Sequence, residues 1–314
     1  MPLLVKRPSA PAAPQSPGFN PDRLGVTYID PDGHAWAWGD LTAKVFATAV
    51  AGLGSPPVAF TQLGLPSGGA FAQSHLAAAR TITVGLYAYD DEDQGAFLAL
   101  VDRLARALWS QRDGKPAPGI LVIARPDGTA RQIQVYCTDG MDLSDDDRTK
   151  SGLMWATYPV TLAAPDPFFE DADATSREFG SSTTAGIPPM PPIVLSPSSL
   201  LGDTTVDNSG DADAYPIWTI HGPGTPTLSN VTTGRSFGLD VSLGDDEVVV
   251  VDTRPGMQSA VDQDGVNRWA DLVRSSPRDL WQLVPGVNEL SLTIGDSDAG
   301  SKISLSFTRR WLRA

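Results

Sequence analysis

The chain has 314 residues, with 23 Lys and Arg against 37 Asp and Glu and a formal net charge of −14, a balance that disfavours a surface built to grip phosphates. With hydrophobic residues at 41% and charged ones at 19% it can bury real cores, and at roughly 100–200 residues per domain it should hold about two. Thirty Gly and 27 Pro interrupt it too often for a helical bundle, and its one cysteine, Cys137, with three histidines, excludes an intramolecular disulfide and a four-ligand structural zinc.

The first 20 residues carry five prolines and predict a flexible arm over 1–22, with no apolar run of secretory-signal length. Apolar runs elsewhere, such as Ile120 to Ala124 and Val248 to Val251, fall far below the roughly 20 residues of a membrane span, so a soluble protein is expected. Gly25 to Asp30 and His34 to Trp38 flank Pro31-Asp32-Gly33, a hairpin in which Asp-Gly supplies positive φ and Trp36 and Trp38 share a face. Thr81 to Tyr89 alternates with period two, and Gly119 to Arg125 and Thr129 to Thr138 form a second hairpin across Pro126-Asp127-Gly128.

One helix stands out at Asp93 to Trp109. Phe97, Leu100, Val101, Leu104 and Leu108 make a single stripe at helical period, behind an acidic first turn (Asp90, Asp91, Glu92, Asp93), and Arg103, Arg106 and Arg112 favour its C-terminal end. Leu153 to Leu162 and a stop at Ala164 to Glu170 close this half. A mostly β N-terminal domain carrying one packed helix is therefore placed at 23–170, a Ser-, Thr- and Pro-rich linker at 171–205, and a second β domain at 206–314. The second domain has no helical period. Strands are expected at Ala214 to Ile220, Phe237 to Leu243, Glu247 to Asp252, Val287 to Ile294 and Lys302 to Thr308, alternating as the sheets of a sandwich do.

Catalytic and metal chemistry finds little support. Asp90 to Asp93 suits a helix N-terminus; Asp142 to Asp147 and Asp207 to Asp213 lack the Gly and Glu of a calcium loop at the sixth and twelfth positions. Leu65-Pro66-Ser67-Gly68-Gly69 lacks the first glycine of a nucleophile elbow. His34, His75 and His221 have no partners at a recurrent spacing, Cys137 lies in an alternating strand, and Gly222-Pro223-Gly224 is turn chemistry. Trp218, Trp269, Trp281 and Trp311 allow either a sugar-stacking platform or core anchors. No catalytic, cofactor-binding or metal-ligating residue is assigned, and no cofactor is expected.

The C-terminal half carries more specific motifs: Asn208-Ser-Gly-Asp-Ala-Asp-Ala-Tyr-Pro-Ile-Trp-Thr-Ile-His-Gly-Pro223, Thr233 to Phe237, Asp252-Thr-Arg254, Asp262-Gln-Asp-Gly265, Trp281-Gln-Leu-Val-Pro-Gly-Val-Asn288 and Ser304 to Trp311. Over roughly residues 160 to 314 these resemble the distal tail protein family of long-tailed, non-contractile bacteriophages. Pro165-Asp-Pro-Phe-Phe169 also looks like that family, while the first 160 residues match by domain plan rather than by motif.

The resemblance implies a mainly β protein, with an N-terminal tail-tube-like sandwich or split barrel carrying one packed helix and a C-terminal galectin-like β-sandwich. It implies a homo-hexameric ring at the virion's tail tip, assembled in the host cytoplasm and joining the tail tube to the hub or tail-associated protein and receptor-binding proteins. Tape measure protein would occupy the lumen, DNA would pass only in transit, and no membrane insertion or enzymatic activity is expected. A carbohydrate-binding receptor module is the alternative, and a tail-associated hydrolase finds no residue to carry it. Residues 1–170 hold 13 basic and 18 acidic residues, and 171–314 hold 10 and 19. The acidic excess therefore sits mainly on the linker and outer domain, and the lumen is expected to be acidic or neutral.

Overall fold

The computed structural model describes residues 25–142, 154–180, 202–274, 279–298 and 300–314. The arm expected over 1–22 and most of the acidic loop Asp142 to Asp147 lie outside the described residues. The fold is mainly β, and the chain divides into two compact units: residues up to Asp173 together with Trp311–Ala314, and Ala174–Arg310.

In the first unit the strands are β1 (Gly25–Ile29), β2 (Ala35–Trp36), β3 (Val45–Ala51), β4 (Val58–Gly64), β5 (Ala70–Ala77) and β6 (Arg80–Tyr89). Helix α1 (Gln94–Leu108) follows, and then β7 (Gln111–Arg112), β8 (Lys115–Pro116), β9 (Gly119–Ala124), β10 (Ala130–Gly140), β11 (Trp155–Ala164) and β12 (Phe169–Asp171). The main sheet runs β2-β1-β9-β10-β11-β6-β3, with β12 also on β10. Strand β10 turns the corner, because Ala130 to Val135 pair with β9 and Tyr136 to Gly140 with β11.

Period-two alternation becomes the core. Ile82, Val84, Leu86 and Ala88 of β6 and Tyr158, Val160 and Leu162 of β11 are buried in one cluster with the helix stripe Phe97, Leu100, Val101, Leu104 and Leu108. Each of the Val, Leu, Ile and Phe side chains contributes about 1.5–3 kcal/mol on burial, before the entropy of ordering it. The helix starts where Asp93 accepts from the Ala96 N–H at 2.8 Å, and its first turn holds no acidic residue. Asp90 instead turns away to accept from Lys44 Nζ at 2.9 Å. At the far end the Arg112 guanidinium donates to the Trp109 carbonyl at 2.6 Å and pairs with Asp32 at 2.6 Å, which satisfies an end carbonyl that the helix itself cannot.

The two expected Asp-Gly turns form, with Gly33 at φ +88° and Gly128 at +82°. Strand β2 stops at Trp36, however, and the Trp38 N–H folds back to the Trp36 carbonyl at 2.9 Å. Trp38 is then stacked on Tyr28, with ring centroids 4.7 Å apart, while Trp36 lies half-buried under the Arg103 guanidinium.

The second unit holds β13 (Thr175–Gly180), β14 (Gly202–Asn208), β15 (Ile217–His221), β16 (Thr225–Asn230) and β17 (Arg235–Leu239). These are followed by β18 (Val248–Asp252), β19 (Ser259–Asp262), β20 (Leu272–Val273), β21 (Gly286–Gly295) and β22 (Lys302–Phe307). Two five-stranded sheets, β13-β22-β15-β18-β19 and β14-β21-β16-β17-β20, enclose a single core containing Trp218, Leu228, Val249, Trp281, Leu292 and Leu305. This is a β-sandwich. The stretch 171–205 contains β13, paired along its whole length with β22, because Arg177 and Phe179 find a sheet edge that composition alone does not reveal.

Gly119 has no room for a side chain: a Cβ there would stand 2.4 Å from the Tyr28 ring. Gly119→Ala is expected to push that ring off Trp38 and cost about 1–3 kcal/mol by overpacking, measured as a shift in the urea midpoint with unchanged slope.

Candidate assembly surface

The residues weighed for chemistry are held in structural roles. Among the described residues no group of three or more His, Cys, Asp or Glu could hold a metal ion. Ser67 sits in a tight turn in which the Leu65 N–H donates to the Gly69 carbonyl at 3.0 Å and the Gly68 N–H to the Leu65 carbonyl at 3.0 Å. His34 lies 3.4 Å from Asp30, His75 meets the edge of Phe60, and His221 belongs to β15, so the three never converge. Burial raises the pKa of the half-buried Cys137 thiol, the condition of an inert rather than a reactive cysteine. Trp218 and Trp281 are fully buried against each other at 5.1 Å, so they cannot stack on a sugar.

The motif residues prove to be fasteners of the sandwich. The buried Asn208 side chain donates to the carbonyls of Ala212 and Leu283 at 3.0 and 2.9 Å and accepts from the Gly210 N–H at 3.1 Å. Asn288 donates to Val284 and Gly286 at 2.8 and 3.0 Å and accepts from the Val284 N–H at 3.0 Å. Asn230 reaches Asn288 at 3.3 Å and caps the turn at the Thr233 N–H at 3.1 Å. Each amide replaces backbone pairing that a bend has removed, and none faces solvent. Asp252 is gripped by Arg254. Asp262 accepts from the N–H groups of Asp264 and Val266 at 3.0 and 2.8 Å and from Arg268 at 3.0 Å. The Val266 N–H first, and then the Arg268 guanidinium, hold the Asp262 carboxyl below the usual carboxylate range.

What remains uncovered is a hairpin that periodicity did not single out. Strands β4 and β5 pair only with each other, and nearly every residue of both is exposed. Register places Leu63 opposite Phe71, and Leu76 shares their face, while Val58 and Phe60 with His75 occupy the other. Phe71 is 62% and Leu76 65% exposed. The sequence from Val45 to Ala79 contains no charged residue. Strand β3, at the end of the main sheet path, belongs to the same uncharged stretch. A two-stranded ribbon with both faces wet is marginal in water, and apolar side chains on both faces of a charge-free ribbon mark a surface meant to be covered.

Neither a family model nor a curated protein sequence matches this chain. Solved structures do. The crystal structure of the SPP1 Dit (gp 19.1) protein, described as a paradigm of the hub adsorption apparatus of phages infecting Gram-positive bacteria, matches with a TM-score of 0.63 and 13% identity. The match covers 92% of this chain and 99% of that one. A chain of the phage P2 baseplate in its activated conformation with Ca matches with a TM-score of 0.54 and 10% identity, over 91% and 98% of the two chains. The two-unit, mainly β architecture is thus shared with the SPP1 Dit protein and the P2 baseplate chain. In particular, the chain has the Dit fold that the motifs of its second half led one to expect.

Asp262 contributes stability through its lowered pKa. That contribution is present above the carboxylate's ordinary pKa, near 4, and is lost as pH falls through the lower folded-state value. Thermal melts between pH 6 and 3 are expected to show the wild type losing stability at the acid end more steeply than Asp262→Asn, which has no carboxylate to protonate.

Proposed function

We propose that the chain is a distal tail protein of a long, non-contractile phage tail, a structural virion component that forms a hexameric ring at the tail tip. The ring joins the tail tube to the hub and receptor-binding apparatus, surrounds the end of the tape measure protein, and lets DNA pass during ejection. The fold shared with the SPP1 Dit and P2 baseplate chains supports this reading. The observation that carries it is the exposed, charge-free β4–β5 hairpin. Its partner is a second copy of the chain: copies carrying −14 each repel over most of their surfaces, and an uncharged ribbon with free edges is where they can approach. A head-to-tail contact of this kind closes into a ring when its rotation suits. The galectin-like character of the outer sandwich is part of the same reading.

The function needs no bound cofactor and assigns no catalytic residue. A channel for DNA works by not adhering, since every Lys or Arg contact to phosphate adds affinity through counterion release. Electron microscopy of the purified protein is expected to reveal six-fold rings with an open centre. Phe71→Asp or Leu63→Asp should leave the melting temperature within a few degrees of wild type, because those side chains are already in water, yet abolish the rings. Rings that persist in both variants would remove the hairpin from the interface, and tight binding of duplex DNA at physiological salt would sink the conduit.

A further inference from the structure

The two legs of the β4–β5 hairpin leave from one small region of the first unit. The leg into β4 passes through Gly52, Leu53 and Gly54, and the leg out of β5 runs through Ala78 and Ala79 into Arg80, the first residue of β6. The Ala78 N–H closes the base on the Pro57 carbonyl at 2.8 Å. Gly52 takes φ +90°, and a Cβ there would lie 2.3 Å from the Thr81 carbonyl, so this leg is pressed against the β6 backbone. The buried Arg80 guanidinium donates to the carbonyls of Gly52, at 2.8 Å, and Gly54, which ties the incoming leg to the outgoing one.

Another acceptor of that group comes from far along the chain. Arg80 Nη2 donates to the Leu312 carbonyl at 2.7 Å, and the Ala314 N–H donates to the Leu53 carbonyl at 3.0 Å. Trp311–Ala314 is seated there by contacts of its own. The Trp311 indole donates to Asp171 at 2.7 Å, Arg131 stacks over the Trp311 ring at 4.0 Å, and the same guanidinium donates to the Arg313 carbonyl at 2.6 Å. The first unit thus contains a receptor for this tetrapeptide, and two of the tetrapeptide's backbone groups complete the hairpin base.

We propose that docking of Trp311–Ala314 fixes the base of the β4–β5 hairpin and so licenses association of the chain with its copies. This rests on the reading that the hairpin is the contact between copies. Because Trp311–Ala314 follows the whole second unit in the chain, a polypeptide still lacking that unit presents its hairpin on an incomplete base. Assembly is thereby delayed until the second unit has been made.

The test uses the full chain, a variant ending at Arg310, and Trp311→Ala, each with and without the Phe71→Asp substitution that keeps the hairpin free of a second copy. In the Phe71→Asp background, hydrogen exchange at the Ala78 amide, which closes the hairpin base on the Pro57 carbonyl, is expected to accelerate at least tenfold on removal of Trp311–Ala314 while α1 amides keep their protection. Acetylated Trp-Leu-Arg-Ala peptide added in trans should restore it. Without Phe71→Asp, the assembled fraction should fall in parallel and recover with the peptide. Should the shortened chain unfold, Trp311→Ala decides, since it removes the indole contacts that seat the segment without deleting any backbone carbonyl from the chain. A wild type that never associates sinks the hairpin reading and the licensing with it. A wild type that associates while the variants assemble equally well, or keep full protection at the Ala78 amide, overturns the role of Trp311–Ala314 alone.

Discussion

A single buried guanidinium holds the first unit in register with itself. Arg80 is about 1% exposed, donates to the Pro167 carbonyl at 2.8 Å as well as to Gly52, Gly54 and Leu312, and lies over the Phe169 ring at 4.7 Å. Among the described residues no carboxylate pairs with it. Burial draws its pKa below the ordinary value, but a guanidinium has no accessible neutral form at physiological pH, so the charge must be met by oriented carbonyl dipoles. The four acceptors come from three parts of the unit: Gly52 and Gly54 from the segment before the hairpin, Pro167 from the segment after β11, and Leu312 from the returning segment. Withdrawal of any one leaves a buried charged donor without an acceptor, which is why these otherwise featureless segments have fixed positions.

The second unit follows a different economy. Its sandwich is held by alternating aliphatic and aromatic side chains, and its bends are held by three buried asparagines whose amides imitate backbone pairs. Side chains in such positions have few substitutes. Asp is acceptor-only when ionised, and Gln places its amide one carbon farther out. The motifs therefore identify a fold and carry no chemistry. This accounts for a structural likeness that persists at 13% identity.

Much of the architecture was legible in the sequence, for local reasons. The stripe from Phe97 to Leu108 specifies its own helix, and Asp-Gly specifies its turns. The strands at Thr81 to Tyr89 and Lys302 to Phe307 alternate because one face of each meets a core. The hairpin was hidden for the converse reason. Period-two contrast arises when one face is buried and the other wet, and Val58 to Ala77 has apolar and polar residues on both faces. Its signal is the missing charge, which is a property of composition rather than of spacing. Trp38 escaped its expected alternation because the chain folds back after Trp36, a bend set by packing on Tyr28. The return of Trp311–Ala314 was likewise illegible, since four residues carry no periodicity and their partners, Leu53, Arg80 and Arg131, lie far away in sequence.

The return of that tail also bears on how such proteins diversify. The second unit is an insertion, entered after Asp173 and left before Trp311, and the two flanks meet where the Trp311 indole bonds to Asp171. A module whose ends emerge side by side can be lengthened, shortened or exchanged for another of similar span without rebuilding its host. Exchange at those two points would replace the second unit while leaving the hairpin, its base and the clasp of the first unit unchanged. The clasp at Asp171 and Trp311 is in this sense a cassette boundary, on either side of which the two units can vary independently.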